Sequence, residues 1–221
     1  MTKVVQHAAR APFALALATA LVITTLWTQT HPEQAEPLLQ WASTNVHNLS
    51  YAPIRSFVLS ALFLPHGRIL VSLCLLMAAI VPLERRVGTI RALAVFASAH
   101  VGATLLTEGW VWYSVHAGAM STAAEYQDDV GVSYGLFCVA AAALRFAPVK
   151  VRLAGVTALA GYILIPFALE PTMTSTGHVL SMAIGLAWWP LLARVAKRRK
   201  AANGQRRGAS PALLSASRGS L

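Results

Sequence analysis

Six long apolar runs, separated by short polar or charged stretches, dominate the pattern of this chain. By hydropathy they extend from Pro12 to Thr28, Gly67 to Pro82, Thr89 to Thr107, Val130 to Ala147, Val151 to Leu169 and His178 to Leu192. The hydrocarbon core of a bilayer is about 30 Å thick and takes about 20 mostly apolar helical residues to cross. Each run is therefore read as a membrane-spanning helix. A seventh stretch, Ser56 to Pro65, is too short to cross and is closed by proline, which predicts an interfacial or re-entrant segment between helices 1 and 2. The first run follows Lys3 and Arg10 as a secretory signal would, but it is longer than a usual apolar signal core and no small-x-small cleavage site follows it. A retained helix is expected. No internal repeat or heptad pattern is present.

Composition narrows the class. Of 221 residues, 56% are hydrophobic and 12% charged, and the mean hydropathy is +0.57, beyond what a water-facing surface allows. This length holds six spans, short loops and a tail, so residues 1–195 are expected to form one all-α membrane domain. Residues 196–221, basic and then rich in Ser, Ala and Gly, read as a disordered cytoplasmic tail. With the N-terminus inside, sixteen of the eighteen Lys and Arg fall on the cytoplasmic side and seven of the eight acids outside. The positive-inside rule then predicts a multi-pass protein of the cell (plasma) membrane with both termini cytoplasmic. The net charge of +10 points to anionic lipid around the tail rather than to nucleic acid. Cys74 and Cys138 lie in apolar runs without CxxC or Cys/His spacing and read as buried small hydrophobes, so no disulfide, metal or cofactor is expected. Trp27, Trp110, Trp112, Trp188 and Trp189 lie near span ends and read as an interfacial belt.

Polar groups at membrane depth cost free energy and are candidates for function. They are Ser72, Ser98, His100, Ser133, Tyr134, His178 and Ser181. Counting from the basic ends at about 1.5 Å per residue, Ser133 stands about 18 Å above Arg145 and His178 about 24 Å above Arg194. Both fall in the outer half of the core, within about a turn of each other. A serine hydroxyl becomes a nucleophile when a neighbouring base takes its proton, and neutral imidazole suits that task near neutral pH. Ser133 lies in Gly131-Val132-Ser133-Tyr134-Gly135, where the glycines allow close approach and the first helical turn offers free N–H groups to an oxyanion. The same residues also fit a small-residue packing face, with His178 bonded to a neighbouring helix. His100, mid-span, reads first as an interhelical donor, and Arg68 as an interfacial anchor. Asp128 and Asp129 suit the positive end of the helix that follows them, as caps.

Taken together and in this order, these residues resemble the rhomboid family of intramembrane serine proteases over roughly Pro53 to Pro190. Glu84-Arg85-Arg86-Val87-Gly88 is similar to the family's turn after its second helix, and Gly131-Val132-Ser133 to the GxS of its fourth. Gly177-His178, with Gly185 seven residues on, resembles its sixth-helix histidine and packing glycine. Within the family the chain is most similar to rhomboid-like membrane proteins of actinobacteria, through AHVGATLL (Ala99 to Leu106) and DVGVSYG (Asp129 to Gly135).

The resemblance implies a six-helix rhomboid-like bundle in which a Ser133/His178 dyad, in a cavity open to the outside, cleaves transmembrane helices near the outer membrane face. It implies no cofactor, and transmembrane-helix substrates or clients as partners. The family's GxSG carries glycine directly after the serine, where this chain has Tyr134. The family's second-helix histidine and asparagine, its oxyanion donors, correspond to Arg68 and Ser72. Gly131, Arg68, Ser72, His66 and His100 are thus the candidate oxyanion or supporting groups. The second function that the resemblance allows is a catalytically inactive relative, a pseudoprotease that binds transmembrane helices. A transporter would need ionisable midplane residues and paired broken helices, and the sequence has neither.

Overall fold

The computed structural model describes residues 11–64, 69–198 and 201, and every regular element among them is helical. In chain order these are α1 (Pro12–Thr30), α2 (Pro32–Ala42), α3 (Val46–Tyr51), α4 (Pro53–Ser60), α5 (Ile69–Val87), α6 (Thr89–His116), α7 (Ser133–Ala143), α8 (Val149–Leu169) and α9 (Met173–Ala187). Short 3-10 turns at Thr122–Tyr126 and Leu144–Phe146 flank α7, and α9 continues past a turn at Trp188 to Arg198.

Four helices are long and apolar enough to cross a membrane, namely Pro12–Thr30, Thr89–His116, Val149–Leu169 and Met173–Arg198. Two others fall short of that test for identifiable reasons. α5 has 19 residues but ends in Glu84, Arg85 and Arg86, and α7 has 11, about 16 Å. The expected segment at Ser56 to Pro65 is α4 and the turn after it, shifted toward the N-terminus; Pro65, His66, Gly67 and Arg68 lie outside the described residues. So does nearly all of the predicted tail.

α7 is the central helix, packed by α5, α6 and α9, while α1 lies against α5 and α6. Its neighbours come close because the facing residues are small. A Cβ on Gly185 of α9 would stand 2.4 Å from the Cys138 carbonyl oxygen, and one on Gly135 2.2 Å from the Phe96 ring. Leu76, Ile80, Leu83, Val95 and Val139 form the core around it. α8 lies outermost, packed on α9 and the Leu144–Phe146 turn, with Ile163 as its buried residue.

Glu84 ties the start of the chain to this core. Ala11 gives α1 no side-chain cap; instead the buried Glu84 carboxylate accepts the N–H groups of Phe13 at 3.0 Å and Ala14 at 2.9 Å, and the Thr89 hydroxyl at 2.8 Å. An anion suits a helix N-terminus, and Gly88, at φ 93°, makes the reversal from α5 to α6 that points Glu84 there.

The two cysteines differ. Cys138 is buried and donates its S–H to the Val95 carbonyl at 3.1 Å, whereas Cys74 is exposed on α5, contrary to the expectation for both. Trp110 and Trp112 are exposed, as belt residues are, but Trp188 and Trp189 turn inward and donate to Ser98 Oγ and the Ala141 carbonyl, each at 2.9 Å.

Candidate active site

Ser133 is the first residue of α7 and His178 the sixth of α9, one and a half turns past a capping box made by Thr172 and Ser175. The structure brings their side chains together, with Ser133 Oγ 3.1 Å from His178 Nε2. That is hydrogen-bond reach for a nucleophile and its base. Both residues are half-buried. Two rings hold the imidazole edge-on, Phe137 with its centroid at 4.4 Å and Tyr134 at 5.8 Å. Phe137 lies four residues after Ser133, on the same helix face, so the i to i+4 rule identifies it from sequence alone.

Tyr134 is 4% exposed and fills the space beside Gly177, where a Cβ would stand 2.3 Å from its ring. The tyrosine that departs from the family's GxSG and the glycine before His178 are therefore complementary. One supplies the volume that the other leaves.

The chain enters α7 along a fixed path. Gly131, at φ 149°, adopts a backbone conformation that favours glycine, and its N–H donates to the Ser60 carbonyl at 3.0 Å. The Val132 N–H donates to the Phe63 carbonyl at 3.2 Å. The first i to i−4 bond of the helix is Leu136 to Val132, so the N–H groups of Ser133, Tyr134 and Gly135 find no acceptor among the described residues.

Asp128 and Asp129 do not cap α7. Its N-cap is Val132, with no side-chain bond. Asp129 instead closes a clasp with the α2–α3 link. The Thr44 N–H and hydroxyl both donate to its carbonyl at 2.9 Å, the same hydroxyl lies 3.2 Å from its carboxylate, and its own N–H donates to Ser43 Oγ at 2.9 Å. Burial pushes the Asp129 carboxyl up, against the pull of the Thr44 hydroxyl, and burial together with Glu36 pushes Asp128 up. Glu108, buried on α6, faces Asp129 and the Val46 backbone. Sequence adjacency to α7 suggested a cap; the available donors come instead from a segment about 85 residues earlier.

The remaining candidates separate. His100 joins a different set: its Nε2 lies 3.0 Å from the Phe57 carbonyl and 3.1 Å from Ser60 Oγ, and its ring stacks on Phe96. Ser72, in the first turns of α5, has no hydrogen-bond partner among the described residues. Arg68 and His66 lie outside them. Ser98 and Ser181 bond carbonyls of their own helices, Val95 and Gly177.

A serine hydroxyl within hydrogen-bond reach of an imidazole nitrogen, beside free helix-terminal N–H groups, has the parts that acyl transfer needs: a base for the nucleophile and donors for a tetrahedral oxyanion. No curated protein and no solved structure was found to match the chain. The family model for rhomboid-like protein matches residues 6–199, and the chain belongs to that family.

Proposed function

We propose that this protein is an intramembrane serine protease that cuts transmembrane helices near the outer membrane face. Ser133 Oγ attacks the scissile carbonyl while His178 Nε2 takes its proton; His178 then returns the proton to the leaving amine, and water hydrolyses the acyl-enzyme. The Ser133 N–H, at the head of α7, is the nearest backbone donor for the oxyanion, and the head of α5, with Ser72 preceded by His66 and Arg68, is the proposed source of a second. On this reading residues 1–195 cross the plasma membrane six times with both termini cytoplasmic, α5 and α7 being the two further spans. Residues 196–221 form a basic tail on anionic lipid. The observation that carries the proposal is the 3.1 Å approach of Ser133 to His178.

A specific feature favours the second reading, a pseudoprotease that binds client helices. The Gly131 and Val132 N–H groups, next to Ser133, are already bonded to the Ser60 and Phe63 carbonyls, and losing one preorganised oxyanion donor costs about 10² to 10³ in rate. Labelling of membranes with a serine-directed fluorophosphonate separates the two. Protease chemistry requires labelling of the wild type that Ser133→Ala abolishes and His178→Ala slows by orders of magnitude at equal expression. A folded wild type that takes no label is the pseudoprotease.

A further inference from the structure

For His178 Nε2 to take the Ser133 proton, the ring's own proton has to sit on Nδ1, and Nδ1 finds no acceptor among the described residues. In serine–histidine–carboxylate sites an acceptor at that nitrogen sets both the tautomer and the tilt of the ring. Here the Asp129 carboxylate takes the Thr44 hydroxyl instead. The orientation of the imidazole must therefore come from packing. Phe137 and Tyr134 meet it at interplanar angles of 62° and 80°, the edge-on geometry that aromatic pairs prefer.

Tyr134 does more than touch His178. Its ring also lies against Gly177, the residue before His178 on α9, so closely that a Cβ there would stand 2.4 Å from its Cε1 and 2.5 Å from the phenol oxygen. The hydroxyl end faces Thr107 of α6, with Asp129 and Glu108 in electrostatic range. Because Tyr134 directly follows Ser133, one peptide link ties this wedge to the nucleophile. At 4% exposure it is walled in and presents no surface to a substrate. We propose that Tyr134 is a positioning residue: its ring, wedged against α9 and facing α6, holds the His178 imidazole at the angle from which Nε2 reaches Ser133 Oγ, in place of a hydrogen bond at Nδ1. This rests on the protease reading. The ring is the operative part, since no hydrogen bond joins the phenol to Ser133 or His178. The residue that departs from the family's GxSG is then what aligns the base in this chain.

The test is the time course of fluorophosphonate labelling of the full chain in detergent at several probe concentrations, which yields kinact, KI and the labelled plateau. A folded site with a misaligned base labels slowly to the full plateau, whereas a partly unfolded population labels at the normal rate to a lower one. Tyr134→Leu should lower kinact by about 10- to 100-fold, less than the full loss of a general base, with KI and plateau unchanged. Tyr134→Phe keeps the ring and should return kinact to within about threefold of the wild type. If Tyr134→Leu does not fold, Tyr134→Met, flexible enough to fill the same gap, takes its place. An unchanged kinact, a lower plateau alone, a raised KI with kinact intact, or a Tyr134→Phe as slow as Tyr134→Leu would each overturn the proposal while leaving Ser133 reactive. A wild type that takes no label overturns the protease reading and this proposal with it, so the reactivity of the wild type tells the two failures apart.

Discussion

Two serine–histidine pairs lie in this protein at the same separation. Ser133 and His178 stand 3.1 Å apart, and so do Ser60 and His100. Their environments differ in the feature that decides reactivity, which is where the proton sits. His100 Nε2 also lies 3.0 Å from the Phe57 carbonyl, which has no hydrogen to offer, so this nitrogen must carry the proton and donate it. It cannot then accept one from Ser60. Ser60 is fully buried, His100 is 4% exposed, and the Ser60 carbonyl is held by Gly131. His178 Nε2 has Ser133 as its partner, and both residues are half-buried at the head of a helix. Distance alone therefore does not define a site; an acceptor nitrogen and a way in are also needed.

The largest expected effect separates the pairs by reactivity. Ser133→Ala should remove fluorophosphonate labelling outright, and His178→Ala should slow it by about 10² to 10⁴, the usual worth of a general base. Ser60→Ala should leave the labelling rate of folded protein unchanged. A Ser60→Ala variant that loses label with its melting temperature intact would give the buried pair a direct chemical role and undo the distinction.

The second effect reverses the ranking, because the buried pair is structural. His100→Ala removes a buried ring stacked on Phe96 and the bond to Phe57, and should cost roughly 2–4 kcal/mol. His178→Ala, at a half-buried site, should cost about 1 kcal/mol. Thermal melts of the two variants in one detergent measure the difference.

Smaller again is Gly177→Ala, whose Cβ would stand 2.3 Å from the Tyr134 ring. Overpacking of this kind costs about 1–3 kcal/mol. Because Tyr134 also packs on His178, the variant should lose labelling rate as well as stability. Tyr134→Phe/Gly177→Ala should not rescue it, since the clash is with the ring itself.

The approach of Ser133 to His178 was legible in the sequence because few hydroxyl or imidazole groups stand at membrane depth, and helical rise places two of them level. The long apolar helices were legible by the same arithmetic. The Ser60–His100 pair was not, since Ser60 lay in a stretch read as interfacial, with nothing local to name a partner on α6. Helices α2 and α3 escaped because the stretch from His31 to Tyr51 is polar and weakly periodic and holds Pro32 and Pro37; Pro32 begins α2 and Pro37 lies within it, while the Asn45 cap, which accepts the Asn48 N–H at 2.9 Å, starts α3. The Glu84 bond to α1 spans about 70 residues, and no local pattern encodes a contact of that range.

The clasp at Asp129 gives the smallest effect and a further contrast, for it lies just ahead of Ser133. Burial holds the Asp129 carboxyl above its ordinary value of 3.8, so the folded protein keeps this proton at pH values where the unfolded chain has lost it. Stability from this group is thus fully present in acid and is lost as pH rises from the ordinary carboxylate range through the raised folded value. Asp128, raised by burial and by Glu36, acts with the same sign. Asp129→Asn keeps an acceptor for the Thr44 hydroxyl and removes the titration. Its melting temperature should match the wild type in acid and exceed it near neutral pH, by on the order of a degree or two. A gap that is constant across pH would show that the variant changes packing alone, and a wild type that gains stability as pH rises through this range would show the carboxylate to be favoured in the clasp.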